Sequence, residues 1–420
     1  MSILTFSLSS LILFLASVSA DPFFVVQHGN AIVTSRRDPI ISPGGVSGHV
    51  HSIVGSSSFK PSYDYQNSLN GKCTSASVSV DKSNYWVPQL YRKLGEGKLE
   101  LVKMNRVNTS SPIEQMYEFP KGRKMLAGNP FRNTFDANDP AQAAVEYVCL
   151  GTDDTPMNAF PERSCPDDLR AQVTFPSCWD GKNVWLEGSK HVSYPSSGRF
   201  DAGGPCPATH PYRIPTLFFE YHFNDKYTYT PDARVWAQGD DIGYGFHGDF
   251  TNGWPEGLFT QIVGAGESCA VLFEIANCPP LSKYFTGDRG ATCQPDDPSV
   301  VVNEEIGLTG PVAKLPGDNP IWNGGAAPNK PGGSAGGAAA ASAVPASGGA
   351  SSVAAPASAA SSPAAAVAVP PAGSSAAPVS NAAASAPPPA SVPAPAPAPT
   401  TSARYGGWGG WRKRRLNYQH

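Results

Sequence analysis

The feature that most limits what this 420-residue chain can fold into is the change of composition after Asn323. From Gly324 to Ala403 the sequence is almost wholly Ala, Pro, Ser, Gly and Val. Such a stretch has no apolar periodicity with which to bury a core, so burial cannot offset the entropy of ordering it. It is expected to be a disordered stalk, and its Ser/Thr with interleaved Pro is the composition of O-glycosylated stalks. A short tip, 404–420, follows, with Trp408, Trp411 and the basic run Arg412-Lys413-Arg414-Arg415. Residues 324–420 carry a formal +6, so 1–323 carry −9 against a whole-chain −3. An acidic globule on a basic-tipped stalk argues against nucleic-acid binding by the globule.

At the other end, an uncharged apolar run from Ile3 to Val18 precedes Ser19-Ala20. It reads as a signal peptide cut before Asp21 and is too short to favour a membrane anchor. With no second long apolar stretch, no transmembrane segment is expected, and the destination is extracellular or the cell wall. The expected divisions are a signal peptide (1–20), a globular domain (21–323), the stalk (324–403) and the tip (404–420). Eight cysteines, Cys73, Cys149, Cys165, Cys178, Cys206, Cys269, Cys278 and Cys293, fit an oxidising compartment and four bridges. Cys178–Cys206 and Cys269–Cys278 are the two pairings guessed. The sequon Asn108-Thr109-Ser110 implies glycosylation on an exposed loop.

Helical signals are scarce between these ends, Asp139-Pro140-Ala141-Gln142 being the best. Strand signals are common, among them Asn84-Tyr85-Trp86-Val87-Pro88, Gln172-Val173-Thr174-Phe175 and Phe218-Phe219-Glu220-Tyr221-His222-Phe223. The expected fold is mainly β: a disulfide-linked, jelly-roll-like β-sandwich with long irregular loops.

Three strand-like stretches place two ligand-capable residues at i and i+2: His49/His51, Glu220/His222 and His247/Asp249. On a strand such pairs share a face, so each can aim two groups into one cleft. Residues 37–59, opening Arg37-Asp38-Pro39-Ile40 and including His49-Val50-His51, resemble the signature of the fungal secreted family known as domain of unknown function 1996. Ser177-Cys178-Trp179-Asp180-Gly181, Cys206-Pro207 through His210-Pro211, and Gly243-Tyr244-Gly245-Phe246-His247-Gly248-Asp249-Phe250 resemble it too. The resemblance implies a secreted fungal protein with a low-complexity tail, and brings no activity with it.

The chemistry therefore rests on the residues. A metal held by His49, His51, His222 and His247, with Glu220 or Asp249, is one reading, since imidazole and carboxylate suit zinc, copper or iron. Copper chemistry that needs an N-terminal histidine is argued down, because His28 is the first histidine after Asp21. The sequence favours metal-free acid/base work on a polysaccharide, as a hydrolase or a lyase. Its catalytic groups would be His49, His51, His222, His247, Asp249 and Glu220. Arg37, Asp38, Tyr194, Tyr244 and Trp254 would hold glycan, Arg37 by pairing with an anionic sugar. The alternative is a non-catalytic wall, adhesion or glycan-binding protein whose motifs hold loops. Polysaccharide or cell-wall glycan is the expected partner either way.

Overall fold

The computed structural model describes residues 23–325, apart from 113–115, 199, 202–203 and 291. The expected signal peptide at 1–20, the stalk from 326 onward and the tip at 404–420 lie outside the described residues. The fold is mainly β, as the strand-type runs imply, and helix accounts for only 12%. Among the described residues the longest helix is Leu258–Ala265.

Two five-stranded antiparallel sheets face each other. In the first the order is Phe23–His28, Met104–Pro112, Phe218–Phe223, Asp168–Thr174, Val145–Leu150. In the second it is Val33–Ser35, His51–Gly55, Asn84–Pro88, His247–Thr251, Lys124–Gly128. Alternation along each strand decides what lies between them. Val107, Phe219, Tyr221 and Val173 of the first sheet meet Val54, Tyr85, Met125 and Phe250 of the second in one core. Tyr85 and Phe219 touch edge to face at 5.4 Å, and the Tyr221 hydroxyl donates to the Tyr85 carbonyl at 2.9 Å. Burial of these rings is the main force holding the sheets together.

Gly248 stands between His247 and Asp249 and faces this core. A Cβ there would lie 2.9 Å from a Val173 methyl and 3.1 Å from the rings of Phe175 and Phe219. Gly248→Ala is therefore expected to cost about 1–3 kcal/mol through overpacking. A thermal melt checks this, and an unchanged midpoint would show that the sheets part there without strain.

The outer face of the second sheet is also covered. Ile53 and Trp86 project outward and pack with Ile40, Phe59, Cys293 and Val300 from the long loops. The Cys73–Cys293 bridge, spanning 220 residues, ties this layer down. The other bridges are Cys149–Cys165, Cys178–Cys206 and Cys269–Cys278, so both guessed pairings are present and all eight cysteines are joined. Among the described residues no helix is long and apolar enough to cross a membrane. One expectation is corrected: Asn108 is in the middle of the strand Met104–Pro112, not on an exposed loop. It is buried, and its Nδ2 donates to Glu220 at 3.1 Å, which leaves no room for a glycan on the folded chain.

Candidate metal centre

The outer-face positions of the second sheet bring histidines together. Phe250 faces the core and Ile53 faces outward, so parity sends His247, Asp249 and His51 outward as well. His51 is level with Pro88, the last residue of the neighbouring strand. Asp249 is level with Trp86 on that same strand, so His247, two residues earlier, also falls at the Pro88 end. His49 arrives from the loop before His51. Its neighbours anchor it: Asn319 Nδ2 donates to the Gly48 carbonyl at 2.8 Å, and the Val50 carbonyl accepts from Gln89 at 2.9 Å.

The three rings converge, with centroids 4.3 Å apart for His49 and His51, 5.0 Å for His49 and His247, and 6.0 Å for His51 and His247. One ligand atom from each lies within 4.8 Å of the others. His49 Nε2 and His247 Nε2 are 3.1 Å apart. A tetrahedral ion with metal–nitrogen bonds of 2.0–2.1 Å would set its nitrogens about 3.3 Å apart.

Protonation follows from the hydrogen bonds. His51 Nδ1 is 3.1 Å from the Arg37 carbonyl, and His247 Nδ1 is 2.9 Å from the Gly245 carbonyl. A carbonyl only accepts, so both Nδ1 atoms carry hydrogen and both Nε2 atoms carry a lone pair. Burial drives the His51 pKa well below the usual value, with His247 adding to the effect. Burial also brings His247 down to about 4, against the opposing pull of the Gly245 carbonyl. Both rings are thus neutral near pH 7. His51 Nε2 is buried with no hydrogen-bond partner. Histidines tied to backbone carbonyls at one nitrogen and converging at the other are arranged as metal ligands are.

Asp249 is close by but outside this cluster. It is fully buried and neither carboxylate oxygen has a partner. Burial first, and Asp38 second, hold its pKa well above the usual range, which favours its neutral form. Asp38 accepts from the amides of Ile40 and Ile41, closing the turn after Arg37, and is pushed up to about 6 chiefly by burial.

Other expected site residues lie elsewhere. Glu220 and His222 do share a face, but it is the outer face of the first sheet, because Tyr221 between them points into the core. There Arg170 pairs with Glu220 at 3.0 Å and Arg106 donates to His222 Nδ1 at 3.3 Å. They do not join the three histidines. Trp254 is a core residue whose Nε1 donates to the Tyr85 hydroxyl, so it is no glycan platform. The Tyr194 hydroxyl donates to the Thr174 carbonyl at 2.7 Å. Arg37 spends its terminal nitrogens on the carbonyls of Gly45 and Ser299, at 2.7 and 2.6 Å. It straps loops together instead of facing an anionic sugar, and its own carbonyl orients His51. The carbonyls of Arg37 and Gly245 are functional groups the sequence reading missed, since backbone atoms leave no residue-type signal.

A family model described as Domain of unknown function (DUF1996) matches residues 38–254, a span that holds all three histidines. No curated protein and no solved structure matches the chain.

Proposed function

The chain belongs to the DUF1996 family, and from that premise we propose that it is a secreted metalloprotein acting on extracellular glycan through a centre built from His49, His51 and His247. The observation that carries the metal reading is the pair of Nδ1–carbonyl bonds, which leave neutral Nε2 lone pairs aimed at one point beside His49. In the alternative, His49 Nε2–H donates to His247 Nε2, and the buried His51 Nε2 then goes without a partner at a cost of about 1–3 kcal/mol. Three imidazoles suit zinc or copper, and a three-histidine set leaves a fourth position for water or substrate. A metal in such a site supplies a Lewis acid and an activated water.

Four disulfides and the apolar leader support an extracellular setting. The metal-free acid/base reading loses support from the same geometry. Asp249 is fully buried, Glu220 is on the other sheet, and Asp180 caps its own turn by accepting from Lys182 and Asn183. Among these three carboxyls no pair flanks a substrate from two sides.

Elemental analysis of protein dialysed against micromolar zinc or copper tests the centre. One equivalent per chain is expected, removable by chelator. Copper-loaded protein should show nitrogen hyperfine structure from three imidazoles in its electron paramagnetic resonance spectrum. A chain that retains no stoichiometric metal under these conditions has no such centre.

A further inference from the structure

We propose that the groove lined by Phe135, Tyr244, Phe160 and Met157, with Glu162 and Arg163 among its lining residues, is a sugar-binding subsite beside the three-histidine centre. This deepens the extracellular-glycan reading above and rests on it. The topology brings the two together. His247 pairs with Gly128, the last residue of its strand, so the loop that follows Gly128 leaves the sheet at the histidine end. That loop delivers Phe135, while the loop entering His247 delivers Tyr244. The two rings stack at 5.9 Å with planes 20° apart, and Phe131 of the same loop is also exposed.

The groove is shallow and largely open, with a volume of about 660 Å³, within the size range of ordinary ligand sites. Its walls are held before any ligand arrives. Arg132 Nε donates to the Tyr244 carbonyl at 2.9 Å. The next carbonyl, Gly245, receives both Gln238 Nε2 and His247 Nδ1. On the far side, Met157 bridges to Tyr147 through paired backbone bonds, and Cys149–Cys165 closes the segment that carries Met157 and Phe160.

The lining chemistry names the occupant. Aromatic faces accept the apolar C–H face of a pyranose ring, while charged groups satisfy its hydroxyls. Arg163 is held by Asp154 at 3.0 Å, and Glu162 adds a carboxylate to the lining, so the groove offers polar groups beside its rings. Gly245 links the subsite to the centre, since the carbonyl that sets the orientation of His247 belongs to the residue after Tyr244.

Titration calorimetry with cellohexaose, laminarihexaose and chitohexaose, on metal-free and zinc-loaded protein, tests the subsite. At least one hexasaccharide is expected to bind. Phe135→Ala and Tyr244→Ala should each weaken it about tenfold or more, the loss of one stacking surface, while Tyr244→Phe retains it. Each variant should still hold one metal ion, which also reports that the fold is intact. Binding indifferent to both alanine variants, or no binding of any of the three sugars, overturns the subsite. Sugar binding that survives in a chain holding no metal would remove the centre and leave the subsite standing.

Discussion

His51→Gln lowers affinity for zinc by more than about 100-fold, since losing a ligand should exceed the 10–100-fold that loss of a partner behind a ligand costs. His51 is wholly buried, with Nδ1 fixed by the Arg37 carbonyl and Nε2 open to a ligand. Zinc at 100 times its dissociation constant should add about 2.7 kcal/mol to the stability of the native chain. Its melting temperature should therefore rise with zinc and fall back with chelator, and the variant's should not respond. The informative control is His222→Gln. Both are buried histidines in i, i+2 pairs, but His222 is on the outer face of the other sheet. His222→Gln is expected to keep one equivalent of zinc whatever it does to the melting temperature. Equal loss of metal in the two variants would mean that the three-histidine geometry is not what binds.

Opening the Cys73–Cys293 bridge with paired serines should cost about 2–5 kcal/mol, the upper end being expected for so long a closed loop. The effect should reach the centre as well. Around the bridge, Ser57 Oγ receives the Cys73 amide and donates to Asp296, and the Asp296 amide returns to the Ser57 carbonyl. A few residues on, the Ser299 carbonyl accepts from Arg37, and Arg37 orients His51. Loosening this layer should weaken zinc binding by about 10–100-fold, as when a group behind a ligand is lost. Denaturant melts and competitive zinc titration on the paired-serine variant measure the two effects. By contrast, opening Cys269–Cys278, which closes a loop of 9 residues beyond the family match, should leave zinc affinity as it was. If both bridges alter zinc affinity equally, the coupling through Arg37 is not real.

Much of this architecture is legible in the chain. Alternating apolar runs between Gly, Pro and Asn/Asp clusters specify strands, because the side-chain period of a strand is two and a sandwich needs one buried face. The same period makes His49-Val50-His51 and His247-Gly248-Asp249 two-residue pairs on a common face, and His49, His51 and His247 meet at the centre while Asp249 stays outside it. An even number of cysteines implies bridges, but spacing does not choose the partners: Cys149–Cys165, 16 residues apart, is not among the pairings guessed, although Cys178–Cys206, 28 apart, is, and nothing local joins Cys73 to a residue 220 positions away.

Periodicity says which residues share a face but not which face, nor of which sheet. Glu220/His222 follows the same pattern as His247/Asp249, yet each pair is on the outside of a different sheet, with the core between them. That assignment comes from inward neighbours, Tyr221 in one strand and Phe250 in the other, and only packing reveals where they point. Covering loops then decide the chemistry. They bury Asp249 and so push its pKa up, turn Arg37 from a ligand for anions into a strap, and set two carbonyls behind His51 and His247. The residue types were determined by the sequence alone; their charge states and their meeting at one point were decided by tertiary structure, because burial and backbone partners come from segments far apart in the chain.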